Sequence, residues 1–289
     1  MQPDQNKIVL GTVQFGLDYG INNSEGKPPK ERVFKILEAA WHAGIRVLDT
    51  AEVYGNAQQL IGEFHRRSGK AFLVNSKFKT SGSAIGVQLQ QTLKELSVKS
   101  LATYFYHAFT DFAQKDNAMD ELQKLKSEGL IRAVGVSVYE NHEFERAVAH
   151  PDVDVIQLPF NLLDNLSQRG ALMEKASISG KKLQVRSVFL QGLFFKDNST
   201  LPLKLQPLGP YLNELQELAM SQSLKMEELA MGYALAQPLI NEVVIGVDSI
   251  EQLEQNMRLT SLQLEPELLH KMDGIRVEEQ ELLYPKNWN

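Results

Sequence analysis

The feature that most constrains the fold is a regular alternation of short apolar runs with longer amphipathic segments. The short runs have the length and the β-branched character of strands, and they fall at residues 8–12, 45–48, 72–77, 101–106, 130–137, 153–158, 182–187 and 241–245. Between them, apolar residues recur at helical spacing, as Val33, Ile36 and Leu37 do. Strands that alternate with helices predict a parallel sheet. Eight such units predict an α/β fold, a single (β/α)8 TIM barrel with residues 1–289 as one domain.

A doubly wound open sheet is the alternative fold. Dinucleotide-binding sheets of that kind carry a Gly-x-Gly-x-x-Gly pattern after the first strand. Here Gly11 and Gly16 follow the first strand without that pattern, so the barrel is favoured.

Composition excludes several classes of function. The chain has no cysteine, which excludes disulfides, thiolate catalysis and cysteine-ligated metals, and its six histidines show no ligand-type clustering. A net charge of −6 without a basic stripe argues against nucleic acid as a partner. No apolar run is long enough to cross a membrane, and the first seven residues lack the apolar core of a signal peptide. We therefore expect a cytoplasmic protein with no membrane and no metal partner.

Four chemically useful residues follow three consecutive predicted strands: Asp49 and Tyr54 after the second, Lys77 after the third and His107 after the fourth. The carboxyl ends of barrel strands share one face, so these side chains should meet in one mouth. Taken singly, each has an ordinary role as a turn residue, a packing residue, a solvated charge or a buried histidine. Their equivalent positions in the fold favour a shared site.

Proton transfer to a carbonyl group suits this set. Free tyrosine titrates near pH 10, and a neighbouring ammonium such as that of Lys77 should lower the pKa of Tyr54. The Asp49 carboxylate would keep Lys77 charged, and His107 could hydrogen-bond a carbonyl oxygen. The set can protonate a carbonyl that receives a hydride, or act in reverse.

The order Asp49, Tyr54, Lys77 and His107, with four residues between the first two, resembles the aldo-keto reductase superfamily. Further stretches agree: Gly135-Val136-Ser137, Gln157-Leu158-Pro159-Phe160-Asn161, Ser187 with Gln191-Gly192-Leu193, and Gly246-x-Asp248-Ser249-x-Glu251-Gln252-Leu253-x-Gln255-Asn256. The resemblance covers about residues 8–260. It implies an oxidoreductase that converts an aldehyde or ketone to an alcohol, or the reverse, with Tyr54 as general acid/base, Lys77 and Asp49 as its tuning pair and His107 orienting the substrate.

The resemblance also implies an extended nicotinamide cofactor, NADP(H) or NAD(H), across the barrel mouth. The implied contacts are Gly11 and Thr12 at the nicotinamide, Ser137 and Gln157 at its carboxamide, Ser187, Phe189 and Gln191 at the pyrophosphate, and Gly246, Gln252, Gln255 and Asn256 at the adenosine.

Two departures from the superfamily pattern bear on ligands. Residues 246–252 contain no basic residue to clamp a 2′-phosphate, and Asp248 stands where a cation is common, so the clamp is weak and NAD(H) use is predicted. Alternatively, Asp248 caps the helix and Lys196 or Lys204 supplies the cation. Arg186 replaces a common aromatic residue; it would stack on the nicotinamide or reach an anionic substrate group.

Substrate choice is expected to depend on residues 13–29, 108–113 and 188–209 and on the tail 278–289. An apolar wall is predicted from Phe15, Tyr19, Phe109 and Phe194, and polyol contacts from Asn22, Asn23, Asn161 and Asp164. These favour a sugar-type aldehyde or ketone. The tail, with Tyr284 and Trp288, either folds over the mouth or forms an edge-packed or disordered terminus.

Two other functions are open at this point. Some members of the superfamily are regulatory subunits that bind cofactor with little turnover. A barrel isomerase or aldolase could use Lys77 as a Schiff-base amine, although Asp49 and Tyr54 would then have no role. The sequence leaves the substrate, the direction of reaction and the state as monomer or small homo-oligomer undetermined.

Overall fold

A closed barrel of parallel strands forms the centre of the fold. The structure, a computed structural model, describes residues 7–21, 23, 26–80, 84–114 and 117–288. Each strand pairs with the next, and the last pairs with the first, so the sheet closes in chain order. The strands are β1 Ile8–Gly11, β2 Val47–Asp49, β3 Leu73–Phe78, β4 Leu101–Tyr106, β5 Ile131–Ser137, β6 Val155–Pro159, β7 Lys182–Arg186 and β8 Glu242–Gly246. The predicted (β/α)8 barrel is confirmed.

Helices surround the barrel. Within the described residues they are α1 Val13–Gly16, α2 Lys30–His42, α3 Ala57–Ser68, α4 Ile85–Leu96, α5 Phe109–Phe112, α6 Ala118–Ser127, α7 Asn141–Ala149, α8 Leu166–Ile178, α9 Gly209–Ser221, α10 Met226–Ala236, α11 Ile250–Arg258 and α12 Pro266–Asp273. No helix of the described part of the chain is long and apolar enough to cross a membrane.

Each helix packs one apolar face on the barrel. In α2, Val33, Ile36 and Leu37 are fully buried, as their spacing predicts. Burying a side chain of this size contributes roughly 1.5–3 kcal/mol. Most strand residues are buried as well, because both faces of a closed parallel sheet are covered.

A chain of polar side chains crosses the barrel interior. Asp49 on β2 accepts a 2.8 Å hydrogen bond from Nε2 of Gln157 on β6, and these strands lie on opposite sides of the barrel. The same nitrogen donates to Gln184, which lies beside Gln157 in register. Gln184 in turn donates to Glu242 on β8. This network fixes the floor of the barrel mouth.

The C-terminal segment is tied to the loop after β6. The Nδ2 atom of Asn165 donates to the carbonyl oxygens of Met272 and Ile275, at 2.9 and 2.8 Å. The 3₁₀ helices Gln280–Leu283 and Pro285–Asn287 follow, and the Trp288 indole nitrogen donates to the Leu282 carbonyl. The segment therefore lies against the carboxyl ends of the strands.

Candidate active site

A cleft of about 910 Å³ opens at the carboxyl ends of the strands. Every residue that the sequence analysis predicted for catalysis or cofactor binding lines it. These are Gly11, Thr12, Asp49, Tyr54, Lys77, His107, Ser137, Gln157, Arg186, Ser187, Phe189, Gln191, Gly246, Asp248, Gln252, Gln255 and Asn256. The barrel thus brings together residues that are far apart in the chain.

Lys77 and Asp49 form a buried ion pair at the centre of the cleft. Their side chains are only 2% and 6% exposed, and the Lys77 ammonium donates to Oδ1 of Asp49. It also donates to the Thr50 carbonyl oxygen at 3.1 Å. Burial lowers the pKa of Lys77, and the Asp49 carboxylate opposes that shift.

The amide of Gln157 has a fixed orientation. Its nitrogen donates to Asp49 and to Gln184, so its oxygen must face away from both. That oxygen, Oε1, is buried and has no hydrogen-bond partner among the residues that the structure describes. Because an unpaired buried acceptor is costly, this atom marks a position for an external donor.

Tyr54 lies beside the ion pair. The Lys77 ammonium is 5.4 Å from the centre of its ring, and the His107 ring meets it edge to face at 5.9 Å. A close approach of two loops sets this position, since a Cβ on Gly16 would lie 1.7 Å from the Tyr54 carbonyl oxygen. Glycine is therefore required at that point of the turn after β1.

The pKa of Tyr54 departs from the sequence-based expectation. We expected Lys77 to lower it; instead burial raises it, with the Asp49 carboxylate adding to the increase and Arg186 opposing it. The chief physical reason is the burial of the phenol, which disfavours the negatively charged phenolate. The phenol is therefore firmly protonated in the protein alone.

His107 is a neutral imidazole. Its backbone N–H donates to the Phe78 carbonyl oxygen at 2.9 Å, which continues the β3–β4 pairing beyond the strands. Burial lowers the pKa of the imidazole to about 3, and the charges of Lys77, Lys79 and Arg186 add to this effect. Its Nδ1 atom is buried, and no group in the described part of the chain hydrogen-bonds to it.

Two loops meet over the cleft. The Gln191 side chain donates to the Tyr19 hydroxyl at 3.0 Å, and the Ile21 N–H donates to the Gln191 carbonyl at 3.2 Å. Ser187, Leu190 and Gln191 have φ of 62°, 45° and 54°, a region that side chains other than glycine rarely adopt. Strained backbone of this kind persists where surrounding contacts hold it, and it concentrates at binding sites.

The far end of the cleft is acidic. Asp248 and Glu227 both line it, and Glu227 accepts a 2.8 Å hydrogen bond from Gln255. The hydroxyl of Ser249, rather than Asp248, caps α11 by accepting from the Gln252 N–H at 3.2 Å. Neither Lys196 nor Lys204 is among the residues that line the cleft in the described part of the chain.

Sequence reasoning missed several lining residues. Gln14, Tyr139, Glu227 and Lys286 all face the cleft from loops, helices or the tail. No local pattern in the sequence marks them; the fit of Gln14 against Gly246, where a Cβ would lie 2.3 Å from the Gln14 amide nitrogen, is visible only in the structure. The tail does reach the mouth, where Pro285, Lys286 and Trp288 line the cleft, while Asn289 lies outside the described residues.

The predicted substrate contacts were partly wrong. Phe15, Phe109 and Phe194 are buried in the core rather than lining the cleft, so of the predicted wall only Tyr19 faces it. Asn161 and Asp164 are also buried, and Asp164 pairs with Arg169. Asn23 lines the cleft, and Asn22 lies outside the described residues.

Comparison with known proteins identifies the family. The model of the aldo/keto reductase family matches residues 7–277, which is most of the chain. The chain belongs to the aldo/keto reductase family. It is an oxidoreductase enzyme, as the resemblance implied, and aldo/keto reductases generally use NAD(P)H.

This chain is similar to known relatives and solved structures over nearly its whole length. The uncharacterized oxidoreductase YqkF of Bacillus subtilis is 25% identical, with 88% of this chain and 87% of that protein covered. L-galactose dehydrogenase of Arabidopsis thaliana is 24% identical, with 96% and 94% covered. The holo form of aldo-keto reductase AKR11C1 from Bacillus halodurans has a TM-score of 0.76 at 20% identity, with 96% and 95% covered, and it shares the fold.

Proposed function

We propose that this aldo/keto reductase is an NAD(P)(H)-dependent carbonyl reductase or alcohol dehydrogenase in which Tyr54 is the general acid/base. The observation that carries the proposal is the arrangement of Tyr54 and His107 in one cleft beside the buried Lys77–Asp49 pair. In the same proposal, the whole chain acts as one barrel domain.

The cleft fits a nicotinamide cofactor. The unpaired Oε1 of Gln157 is an acceptor for a carboxamide N–H, and Ser137 lies beside Gln157 in register on β5. Gly11 and Thr12 would border the ring, and the loop after β7 would border the pyrophosphate. When bound, the cofactor supplies or accepts the hydride at the carbonyl carbon.

Tyr54 would handle the proton. A phenol that stays protonated at neutral pH can donate to the carbonyl oxygen as that oxygen becomes an alkoxide, which is far more basic than phenolate. The phenolate that results lies near the Lys77 ammonium, which stabilises the new negative charge more than it stabilises the neutral phenol. Asp49 keeps Lys77 charged and oriented despite its burial.

His107 would orient the substrate. At pH 7 its imidazole is neutral, so one ring nitrogen carries a proton that can be donated to the carbonyl oxygen. An imidazolium here would add one more positive charge beside Lys77 and Arg186, which its lowered pKa prevents. Its role is to hold the carbonyl oxygen near the Tyr54 hydroxyl rather than to transfer the proton.

We further propose a preference for NAD(H). A 2′-phosphate at the adenosine end would face Glu227 and Asp248, and no lysine or arginine of β8, α10 or α11 lines the cleft there. Repulsion disfavours the phosphate, whereas carboxylates can accept hydrogen bonds from a ribose hydroxyl. The proposed substrate is a small aldehyde or ketone of the sugar type, a class that the name of the Arabidopsis relative also supports.

Two measurements test this proposal. The fluorescence of the bound nucleotide gives the dissociation constants for NADH and NADPH, and NADH should bind more tightly. A clear preference for NADPH would contradict the proposed preference for NAD(H). Stopped-flow absorbance then follows bound reduced cofactor after mixing with aldehydes, ketones and sugars. Oxidation of the cofactor in a single turnover supports the reductase, and its absence with every carbonyl compound would contradict it.

A further inference from the structure

Two cations of the cleft share one aromatic platform. The Arg186 guanidinium carbon lies 4.2 Å from the centre of the Tyr139 ring, and the Lys286 ammonium lies 4.4 Å from the same centre. Arg186 ends β7 and Lys286 belongs to the tail, so they come from distant parts of the chain. All three residues line the cleft.

Neither cation has an acidic partner. Among the described residues, no carboxylate lies within ion-pair distance of Arg186 or Lys286. Asp18 also lines the cleft, but its carboxylate accepts from the Lys27 backbone N–H at 2.6 Å. Two like charges on one ring repel each other, so an anion beside them would relieve the repulsion.

The platform is rigidly held. The Tyr139 N–H donates to the Glu143 carboxylate at 2.6 Å, and its carbonyl oxygen accepts from the Arg169 guanidinium at 2.6 Å. Arg169 is itself fixed by a buried two-point pair with Asp164, at 2.6 and 2.8 Å. These bonds fix the backbone of Tyr139, from which the ring projects, before a ligand arrives, and this reduces the entropy lost on binding.

The pair lies at the reacting end of the cleft. The charge of Arg186 reaches both reacting side chains: it adds to the lowering of the His107 pKa that burial causes, and it opposes the rise in the Tyr54 pKa that burial causes. Arg186 also donates to the backbone carbonyl of Val138, next to the platform, at 3.3 Å. An anion held between Arg186 and Lys286 would therefore belong to the same molecule as the reacting carbonyl.

We propose that Arg186 and Lys286 form an anion subsite, and that the preferred substrate is an aldehyde or ketone that carries a carboxylate. This rests on the proposed reductase function and narrows its substrate class. The guanidinium fork suits the two oxygens of a carboxylate, while Lys286 on the tail adds a second, adjustable donor.

A matched pair of substrates tests the subsite. 4-Carboxybenzaldehyde and methyl 4-formylbenzoate differ only in that one carries a carboxylate and the other a neutral ester. The wild-type protein should favour the carboxylate in kcat/KM by roughly tenfold or more, the effect of one charge-assisted hydrogen bond. In Arg186→Met and in Lys286→Met this ratio should fall towards one, whatever the absolute rates.

Lys182→Met is the matched control, since Lys182 is exposed at the opposite end of β7 and does not line the cleft. It should keep the wild-type ratio. A wild-type ratio near one, or a ratio unchanged in both cleft variants, overturns the subsite but leaves the reductase in place. Loss of cofactor affinity with an unchanged ratio also overturns it, because the cations would then serve the cofactor.

A binding measurement decides the subsite even without turnover. Trp288 lies in the cleft and Trp41 does not, so Trp41→Phe leaves one reporter of tryptophan fluorescence. Titration with benzoate should give a saturable change that benzamide does not give and that Lys286→Met removes. If no compound is turned over, the reductase proposal fails, and the titration then decides the anion subsite by itself. A saturable response to benzoate supports the subsite, and the absence of any response overturns it.

Discussion

Removing one partner of the Lys77–Asp49 pair should destabilise the protein strongly. In Asp49→Asn, the Lys77 ammonium stays buried without its counter-charge, and the amide cannot accept from both Lys77 and Gln157 as the carboxylate does. An uncompensated charge at a site that is only 2% exposed costs about 3–5 kcal/mol. For a domain of this size, that corresponds to a fall in Tm of roughly 6–20 °C.

The double variant separates the pair from its surroundings. Lys77→Met alone should also be destabilising, because it leaves a buried carboxylate. In Asp49→Asn/Lys77→Met both charges are gone, so the loss should be smaller than the sum of the single losses by about 3 kcal/mol. Urea unfolding followed by circular dichroism gives the four free energies of this cycle.

An exposed pair in the same chain provides the control. Lys175 and Glu145 lie 2.9 Å apart with side chains 51% and 59% exposed, so their coupling should stay below about 1 kcal/mol. If the Asp49–Lys77 cycle gave a coupling as small as that of Glu145→Gln/Lys175→Met, the buried ion pair would not exist as described. The proposed tuning of Tyr54 would then lose its basis.

Three further predictions concern pH, cofactor release and cofactor choice. The pKa of His107 falls from 6.5 to about 3 on folding, so the unfolded chain binds more protons than the folded protein between these pH values. As the pH is lowered, the free energy of unfolding of the wild type should therefore decrease relative to that of His107→Gln, by at most about 1.4 kcal/mol per pH unit. If the urea midpoints of the two proteins changed in parallel from pH 7 to pH 4, this prediction would be disproved. Gln191→Ala and Tyr19→Phe each remove the side-chain hydrogen bond between the loops over the cleft and leave the backbone one, so stopped-flow release of NADH should accelerate about 3–10-fold in both, and an unchanged release rate would refute a closing role. Glu227→Gln/Asp248→Asn should raise the affinity for NADPH relative to NADH by roughly tenfold, as measured by nucleotide fluorescence, whereas an unaltered ratio would show that these carboxylates do not face the 2′ position.

The fold and the lining residues were largely predictable from the sequence. Strand ends in a parallel barrel all reach one face, so Asp49, Lys77 and His107 had to meet once the strands were recognised. Periodicity sufficed for this step because it depends only on which residues are apolar.

The remaining features depend on tertiary packing. Phe15 and Phe194 lie in loop-like sequence and were expected in the cleft, yet both are core residues. The direction of the Tyr54 pKa shift follows from the balance between burial and a charge pair, and that balance needs distances. The Arg186–Tyr139–Lys286 cluster joins two strand ends and the tail, and no local pattern in the sequence marks it.

The most direct test of the central claim is a single-turnover measurement on Tyr54→Phe with reduced cofactor already bound. If Tyr54 donates the proton, hydride transfer to a carbonyl substrate should slow by a factor of about 10² to 10⁴, while the cofactor dissociation constant stays close to the wild-type value. Hydride transfer within about tenfold of the wild-type rate would contradict the assignment of Tyr54 as the general acid.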